Sequence, residues 1–130
     1  MILVDSSVWI DFFNGVDKPH VDKLYQLLGI ENIATGDLIA VEVLQGIKSE
    51  ADFQKVKQVM YDISFFSLCN KELSIIAAEN YRVLRRQGIT VRKTIDIIIA
   101  TFCIENNLKL LHNDRDFDPC AAILGLQVVK

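Results

Sequence analysis

Cysteine and histidine are scarce in this sequence of 130 residues. The three cysteines, Cys69, Cys103 and Cys120, lie far apart and form no CxxC pair. This spacing favours neither a disulfide framework nor a zinc site, and two histidines, His20 and His112, cannot build a zinc site alone. We therefore expect the cysteines to be small core residues, and we assign the histidines no chemistry.

Long apolar runs and excess positive charge are also absent. No run approaches the roughly 20 apolar residues that a membrane-spanning helix needs, and no signal-peptide pattern follows Met1. The net charge of −3 excludes a protein that coats nucleic acid through bulk charge. We expect a cytoplasmic protein without a membrane partner, whose contacts with nucleic acid, if it makes any, are local.

Several familiar phosphate and hydrolase motifs are missing. The sequence has no GxxxxGK[ST] loop, no GxGxxG loop and no GxSxG elbow. It also lacks the DxD that would follow the first strand of a haloacid-type phosphatase. These absences exclude the P-loop, dinucleotide-binding and serine-hydrolase classes.

Apolar residues make up 51% of the chain and charged residues 24%, which is enough to form one buried core. We expect a single domain over residues 1–130. Short apolar runs alternate with stretches of helical period, a pattern typical of βαβ units. The predicted strands are Ile2–Val4, Asn32–Ala34, Ser64–Leu68, Leu108–His112 and Gln127–Val129. The predicted helices are Ser6–Asn14, Lys18–Leu28, Asp37–Ser49, Ala51–Asp62, Lys71–Gln87 and Ile95–Asn106. Together they predict a three-layer α/β/α sandwich around a small, mostly parallel sheet.

Each of the acidic residues that stand out has an ordinary structural explanation. Asp5 suits a helix N-cap, and Asp96, the only charge between Ile95 and Ile104, would suit the first turn of a helix. Glu42 stands in an apolar segment but could lie on a solvated face. Asp114 and Asp116 are ordinary turn residues.

Taken together, these acids indicate a site. Asp5 and Asp114 follow predicted strands, Asp96 opens a helix and Glu42 projects from another, so all four can reach the carboxyl edge of the sheet. Clustered carboxylates repel one another, and a divalent cation relieves that repulsion. Oxygen ligands favour Mg²⁺ or Mn²⁺, and the chemistry they indicate is metal-assisted phosphodiester hydrolysis.

Four segments, VDSSVWIDFFNG, EVLQG, TIDIIIA and HNDRDFD, in this order resemble PIN-domain ribonucleases, specifically the VapC toxins of toxin–antitoxin pairs. The resemblance covers essentially the whole chain and implies a PIN-like fold. It places the family's metal-binding acids on Asp5, Glu42, Asp96 and Asp114. It also makes Asp116 an auxiliary acid and Ser6 the hydroxyl that orients a metal-bound water or the substrate phosphate.

The resemblance further implies a homodimer that cleaves structured RNA, often tRNA, and that a co-encoded VapB-type antitoxin inhibits. The aromatic residues Trp9, Phe12 and Phe13 could line a groove for a helix of that partner, although part of the cluster is expected in the core. Basic residues near the Asp96 helix could hold RNA phosphates or could simply be solvated. They are Arg82, Arg85, Arg86, Arg92 and Lys93.

Two other functions stay open at this point. A housekeeping PIN nuclease of RNA processing or DNA repair would keep the same fold and metal. A PIN-like module that binds protein or RNA without cutting would have no need of all four acids, and all four are present.

Overall fold

A computed structural model describes all 130 residues, Met1–Lys130. The strands are β1 (Ile2–Val4), β2 (Ile33–Gly36), β3 (Ser64–Phe66), β4 (Lys109–Leu111) and β5 (Gln127–Val128). The α-helices are α1 (Ser6–Phe13), α2 (Pro19–Leu27), α3 (Asp37–Gln45), α4 (Glu50–Asp62), α5 (Lys71–Arg86) and α6 (Thr94–Glu105). A 3₁₀ turn at Arg115–Phe117 and a π-helical turn at Cys120–Leu124 lie between β4 and β5.

The five strands form one sheet in the order β3-β2-β1-β4-β5, and every neighbouring pair is parallel. The predicted α/β fold is confirmed, with a sheet that is wholly parallel. The chain adds strands on one side of β1 first and on the other side afterwards. Ligands of such sheets bind beyond the carboxyl ends of the two strands at this switch, which here are β1 and β4.

Helices cover both faces of the sheet. Every residue of β1 and β2 is buried, and since successive strand side chains point to opposite faces, neither face is open to solvent. Helix α5 packs against α6, whereas α1 contacts α2 and α3, and α3 contacts α4. The expectation that Cys103 and Cys120 are core residues is confirmed, and Cys69 is half-buried. None of the helices combines the length and apolarity needed to cross a membrane.

Some element boundaries differ from the predicted ones. Helix α3 ends at Gln45 before Gly46, four residues earlier than the predicted Ser49. Strand β3 ends at Phe66 and does not reach Leu68, because the Leu68 amide donates to Asp37 Oδ1 at 3.0 Å and its side chain is buried. The 3₁₀ turn and the π-helical turn were not predicted, since elements of three to five residues carry too little periodicity.

Gly36 is required where β2 passes into α3. Its backbone is extended, so the requirement is one of space: a β-carbon there would overlap the side chain of Leu68. A β-carbon on Gly46, at the other end of α3, would have no neighbour closer than 3.9 Å. Of the two glycines at the ends of α3, only Gly36 therefore lacks space for a side chain.

We predict that Gly36→Ala lowers the free energy of unfolding by about 1–3 kcal/mol, because Leu68 must move in a packed core. Gly46→Ala is the matched control and should change it by less than about 0.5 kcal/mol. Urea unfolding followed by circular dichroism measures both. Equal stability of the two variants would contradict the steric account of Gly36.

Candidate active site

The carboxyl ends of β1 and β4 lie side by side and bring distant acids to one edge of the sheet. The Asp5 amide donates to the Leu111 carbonyl at 2.9 Å, so the residue after β1 is tied to the end of β4. Asp114 follows β4 in the next loop, and Asp96 lies in the first turn of α6. The alignment of β1 with β4 thus brings the residues that follow these strands to the same edge of the sheet, where the acids were predicted to lie.

Asp5 is a helix cap and a buried acid at once. Its Oδ2 atom accepts hydrogen bonds from the Ser7 amide at 3.1 Å and the Ser7 hydroxyl at 2.6 Å, which caps α1. Its Oδ1 atom is buried and has no hydrogen-bond partner. Burial raises the pKa of Asp5, and the hydrogen bonds from Ser7 oppose that rise. The capping explanation accounts for one oxygen only.

Two consecutive hydroxyls position two different acids. Ser6 Oγ donates to Glu42 Oε1 at 3.0 Å and so joins the start of α1 to the middle of α3. Ser7 Oγ donates to Asp5 and accepts from the Asn113 amide at 3.1 Å, which ties Asp5 to the loop after β4. Ser7 was not among the predicted site residues, although a serine two residues after an N-cap Asp is within reach of its carboxylate.

Asp96, Asp114 and Asp116 form the tightest group of acids, with one carboxylate oxygen of each within 4.8 Å of the others. Asp96 is 4% exposed, and its Oδ2 atom has no hydrogen-bond partner. Asp114 Oδ1 accepts from the Asp116 amide at 2.9 Å. Asp116 Oδ2 accepts from Arg92 Nε at 3.0 Å, so one of the three acids already has a cationic partner.

The charges of Asp5 and Glu42 also act on this group. The pKa of Asp96 is raised to about 7. Burial is the largest cause, repulsion from Asp5 and Asp114 adds to it, and repulsion from Glu42 adds less, while Lys93 opposes the rise. Asp5 and Glu42 therefore lie outside the tight group but within electrostatic range of it. Asp96 lies in the first turn of α6, where the helix dipole favours a carboxylate as expected, but its buried Oδ2 atom still has no hydrogen-bond partner.

The donor set fits a hard divalent cation. All the candidate ligands are carboxylate oxygens, and Asp5 and Asp96 each keep a buried oxygen that no protein group satisfies. Buried polar atoms without partners are uncommon, and a bound ion is one of the accepted explanations. Mg²⁺ and Mn²⁺ prefer such ligands.

A polar depression of about 560 Å³ opens beside these acids. Its lining residues are Arg92, His112, Asn113, Asp114, Arg115 and Asp118. His112 Nδ1 accepts from the Asp114 amide at 3.1 Å, and burial lowers the pKa of His112. No chemistry was predicted for His112, and Arg115 was not singled out, because neither residue forms a recognisable spacing with the acids.

The basic residues named from the sequence belong to two segments, helix α5 and the loop before α6. Arg82, Arg85 and Arg86 are exposed on α5, and Arg85 stands over the ring of Tyr81 at 5.8 Å. Arg92 and Lys93 precede α6, and of these two only Arg92 bonds a carboxylate.

The aromatic cluster is mostly internal. Trp9 is 1% exposed and its ring stacks on Phe13 with 5.7 Å between centroids, so Trp9 belongs to the part of the cluster that was expected in the core and offers no surface to a partner. A helix directed along the sheet must bury one side, and Trp9 is on it. Phe12 packs against Tyr25 at 4.8 Å. Phe13 instead lines a groove of about 680 Å³ between α1, α3 and α4.

Comparison with known proteins agrees with this architecture. The family model of the PIN domain matches residues 2–122. Ribonuclease VapC11 of Mycobacterium tuberculosis (strain ATCC 25618 / H37Rv) is 31% identical over 132 aligned residues, covering 100% of this chain and 98% of the relative.

Two solved structures have the same fold. VapBC2 from Rickettsia felis, bound to a DNA fragment from its promoter, aligns with a TM-score of 0.78 at 18% identity, covering 99% of this chain and 98% of the other. VapC20 of Mycobacterium tuberculosis, described as a sarcin–ricin-loop-cleaving toxin, aligns with a TM-score of 0.71 at 15% identity and 95% coverage of both chains.

We predict that Asp96→Asn stabilises the metal-free protein at alkaline pH. The pKa of Asp96 rises from 3.8 to about 7 on folding, so between these values the folded state binds a proton that the unfolded state has lost. The wild type should therefore lose stability as the pH rises through this window, whereas an amide has no proton to lose. At about pH 8 in EDTA the variant should gain about 2–4 kcal/mol in free energy of unfolding.

Asp22, which also lies in the first turn of a helix but is exposed, provides the control. Asp22→Asn should be neutral or slightly destabilising, because it loses only the interaction with the helix dipole. Thermal melting at about pH 5 and about pH 8, with EDTA or Mn²⁺, compares the three proteins. Mn²⁺ should stabilise the wild type far more than Asp96→Asn. An Asp96→Asn protein that melts lower than the wild type at both pH values would contradict the electrostatic account.

Proposed function

Because the chain belongs to the PIN-domain family, and within it to the VapC ribonucleases, we propose that it is an endoribonuclease toxin that depends on Mg²⁺ or Mn²⁺. The observation that carries the proposal is the convergence of Asp96, Asp114 and Asp116 within 4.8 Å, with unpaired buried oxygens on Asp5 and Asp96. A purely structural role would not explain why these carboxylates repel one another while two of their buried oxygens have no partner.

The contacts around the acids support the following proposed residue roles. Asp5, Glu42, Asp96 and Asp114 are proposed as the acids that hold the metal, directly or through water, with Asp116 as the auxiliary acid of the same group. When bound, the ion would activate water and stabilise charge on the attacked phosphate. Ser7 and Ser6 keep the Asp5 and Glu42 carboxylates in place through hydrogen bonds of 2.6 and 3.0 Å. Ser6 is accordingly proposed as a positioning residue.

The substrate is proposed to be structured RNA, for example tRNA. VapC11 is named a ribonuclease, and VapC20 is described as a toxin that cleaves the sarcin–ricin loop. The substrate would place the activity in the cytoplasm.

Cleavage of RNA should require the metal and the buried acids. We expect the purified protein to cut total bacterial RNA in Mg²⁺ or Mn²⁺, to be inactive in EDTA, and to lose activity by at least about a hundredfold in Asp96→Asn and Asp5→Asn. Asp22→Asn should remain active. Mapping of new 5′ ends on the cleaved RNA measures the reaction and identifies the substrate.

Each other outcome selects an alternative. Full activity in EDTA would contradict the metal mechanism. RNA binding without cleavage in either metal would indicate the non-catalytic binding module. Cleavage without any growth arrest on expression would favour the housekeeping nuclease.

We also propose that a VapB-type antitoxin binds the groove between α1, α3 and α4. The groove has apolar walls, including Ile10, Phe13 and Val56, and carries Lys48 and Lys55 among its polar lining residues. This combination suits an amphipathic segment with apolar anchors and an acidic side chain. The name of VapBC2 of Rickettsia felis, whose fold this chain shares, joins a VapB and a VapC protein.

We predict that Ile10→Asp weakens binding of the neighbouring gene's small product by at least about tenfold, because it puts a charge on an apolar wall. Ile10 is 39% exposed, so the change should not unfold the protein. Ile30→Asp, at a residue that is 81% exposed and outside the groove, is the control. Calorimetric titration measures both affinities, and equal loss in the two variants would dismiss this groove.

The homodimer remains part of the proposal. It is supported by several large apolar side chains on α3, α4, β3 and α5 that are at least half exposed and that a second copy could bury. They are Val41, Tyr61, Phe65 and Ile75.

A further inference from the structure

We infer that the polar depression beside the acids is a subsite for one backbone phosphate of the RNA, bound mainly by Arg115 and Arg92. This inference rests on the proposed ribonuclease function and adds to it the groups that hold the strand next to the cleaved bond.

The donors in the depression are largely unused. Arg92 donates through Nε to Asp116, and its two terminal amino groups have no partner. Arg115 is exposed and makes no side-chain hydrogen bond or ion pair. His112 accepts at Nδ1, so the neutral ring carries its proton on Nε2 and can donate there. A guanidinium presents a planar fork of N–H groups that matches two phosphate oxygens.

The lining also contains carboxylates, which repel an anion unless a cation offsets their charge. Asp114 belongs to the group of three acids, and a divalent ion held there would offset its charge. Asp118 is then the one lining carboxylate outside that group, whereas the lining contains two guanidinium groups. Anion binding should therefore be stronger with Mg²⁺ than with EDTA.

The position of the depression favours a phosphate of a bound strand over a free anion. Arg92 contacts Asp116 and lines the depression at the same time, so the depression adjoins the acids directly. An RNA strand with one phosphate at the acids has its next phosphate close by along the backbone. Phosphate contacts of this kind fix the register of a strand without reading its bases.

The first experiment measures RNA binding. The probe is a fluorescein-labelled oligouridylate of about ten nucleotides, a length within the usual site size for single strands. Binding is measured with Mg²⁺ present, and a gel checks that the RNA probe stays intact. Arg115→Ala should raise the dissociation constant about tenfold and should reduce the slope of log affinity against log salt by about 0.7, the value for one phosphate contact on a single strand.

Two further variants make the result specific. Arg115→Lys should keep the salt slope, because it keeps the charge, but should bind more weakly than the wild type, because it loses the fork. Arg86→Ala removes the same charge from exposed α5 and should stay within about twofold of the wild type. An unchanged dissociation constant in Arg115→Ala, or an equal loss in Arg86→Ala, would overturn the subsite.

The second experiment separates the subsite from the ribonuclease proposal. Inorganic phosphate is titrated into the ¹⁵N-labelled protein with Mg²⁺, and the backbone amides of Asn113 and Arg115 should shift saturably in the wild type and not in Arg115→Ala. If phosphate shifts these amides while the protein neither binds nor cleaves RNA, the anion subsite stands and the ribonuclease proposal fails. If RNA is cleaved and phosphate shifts nothing here, the subsite is wrong.

Discussion

Repulsion among buried carboxylates is the constraint on which the rest of this site depends. Asp96 is buried in the field of Asp5 and Asp114, and the resulting rise in its pKa to about 7 is a direct cost to the folded state. The acids that repel one another lie where contacts between strands fix the backbone. The topological switch between β1 and β4 meets this condition, because its backbone is fixed by the parallel register and by the Asp5–Leu111 hydrogen bond.

Hydrogen bonds from neighbouring residues fix the positions of the acids. Ser7 keeps one oxygen of Asp5 occupied and joins it to Asn113, Ser6 holds Glu42, and Arg92 holds Asp116. Each contact fixes a rotamer and leaves another oxygen of the same acid available. The capping role of Asp5 therefore accounts for Oδ2, and the proposed metal-binding role concerns Oδ1.

The sequence predicts the fold well because its signals are local. Short apolar runs and long helical periods identify the elements and place Asp5 and Asp114 after β1 and β4. Contacts between elements produce no periodic pattern in the sequence. The burial of Trp9, the bond from Leu68 to Asp37 and the donors His112 and Arg115 depend on which elements meet, so they required the three-dimensional structure.

Two short helices connect the acids to the groove. Helix α1 begins beside Asp5 and carries Ser6 and Ser7 in its first turn, while Ile10 and Phe13, toward its other end, line the groove. Helix α3 carries Glu42 next to Val43, which lines the same groove. These helices have only eight and nine residues, so their groove-lining residues lie within about two turns of Ser6, Ser7 and Glu42. A partner bound in the proposed groove would contact the two helices that position Asp5 and Glu42, so inhibition by such a partner would not require it to cover the carboxylates.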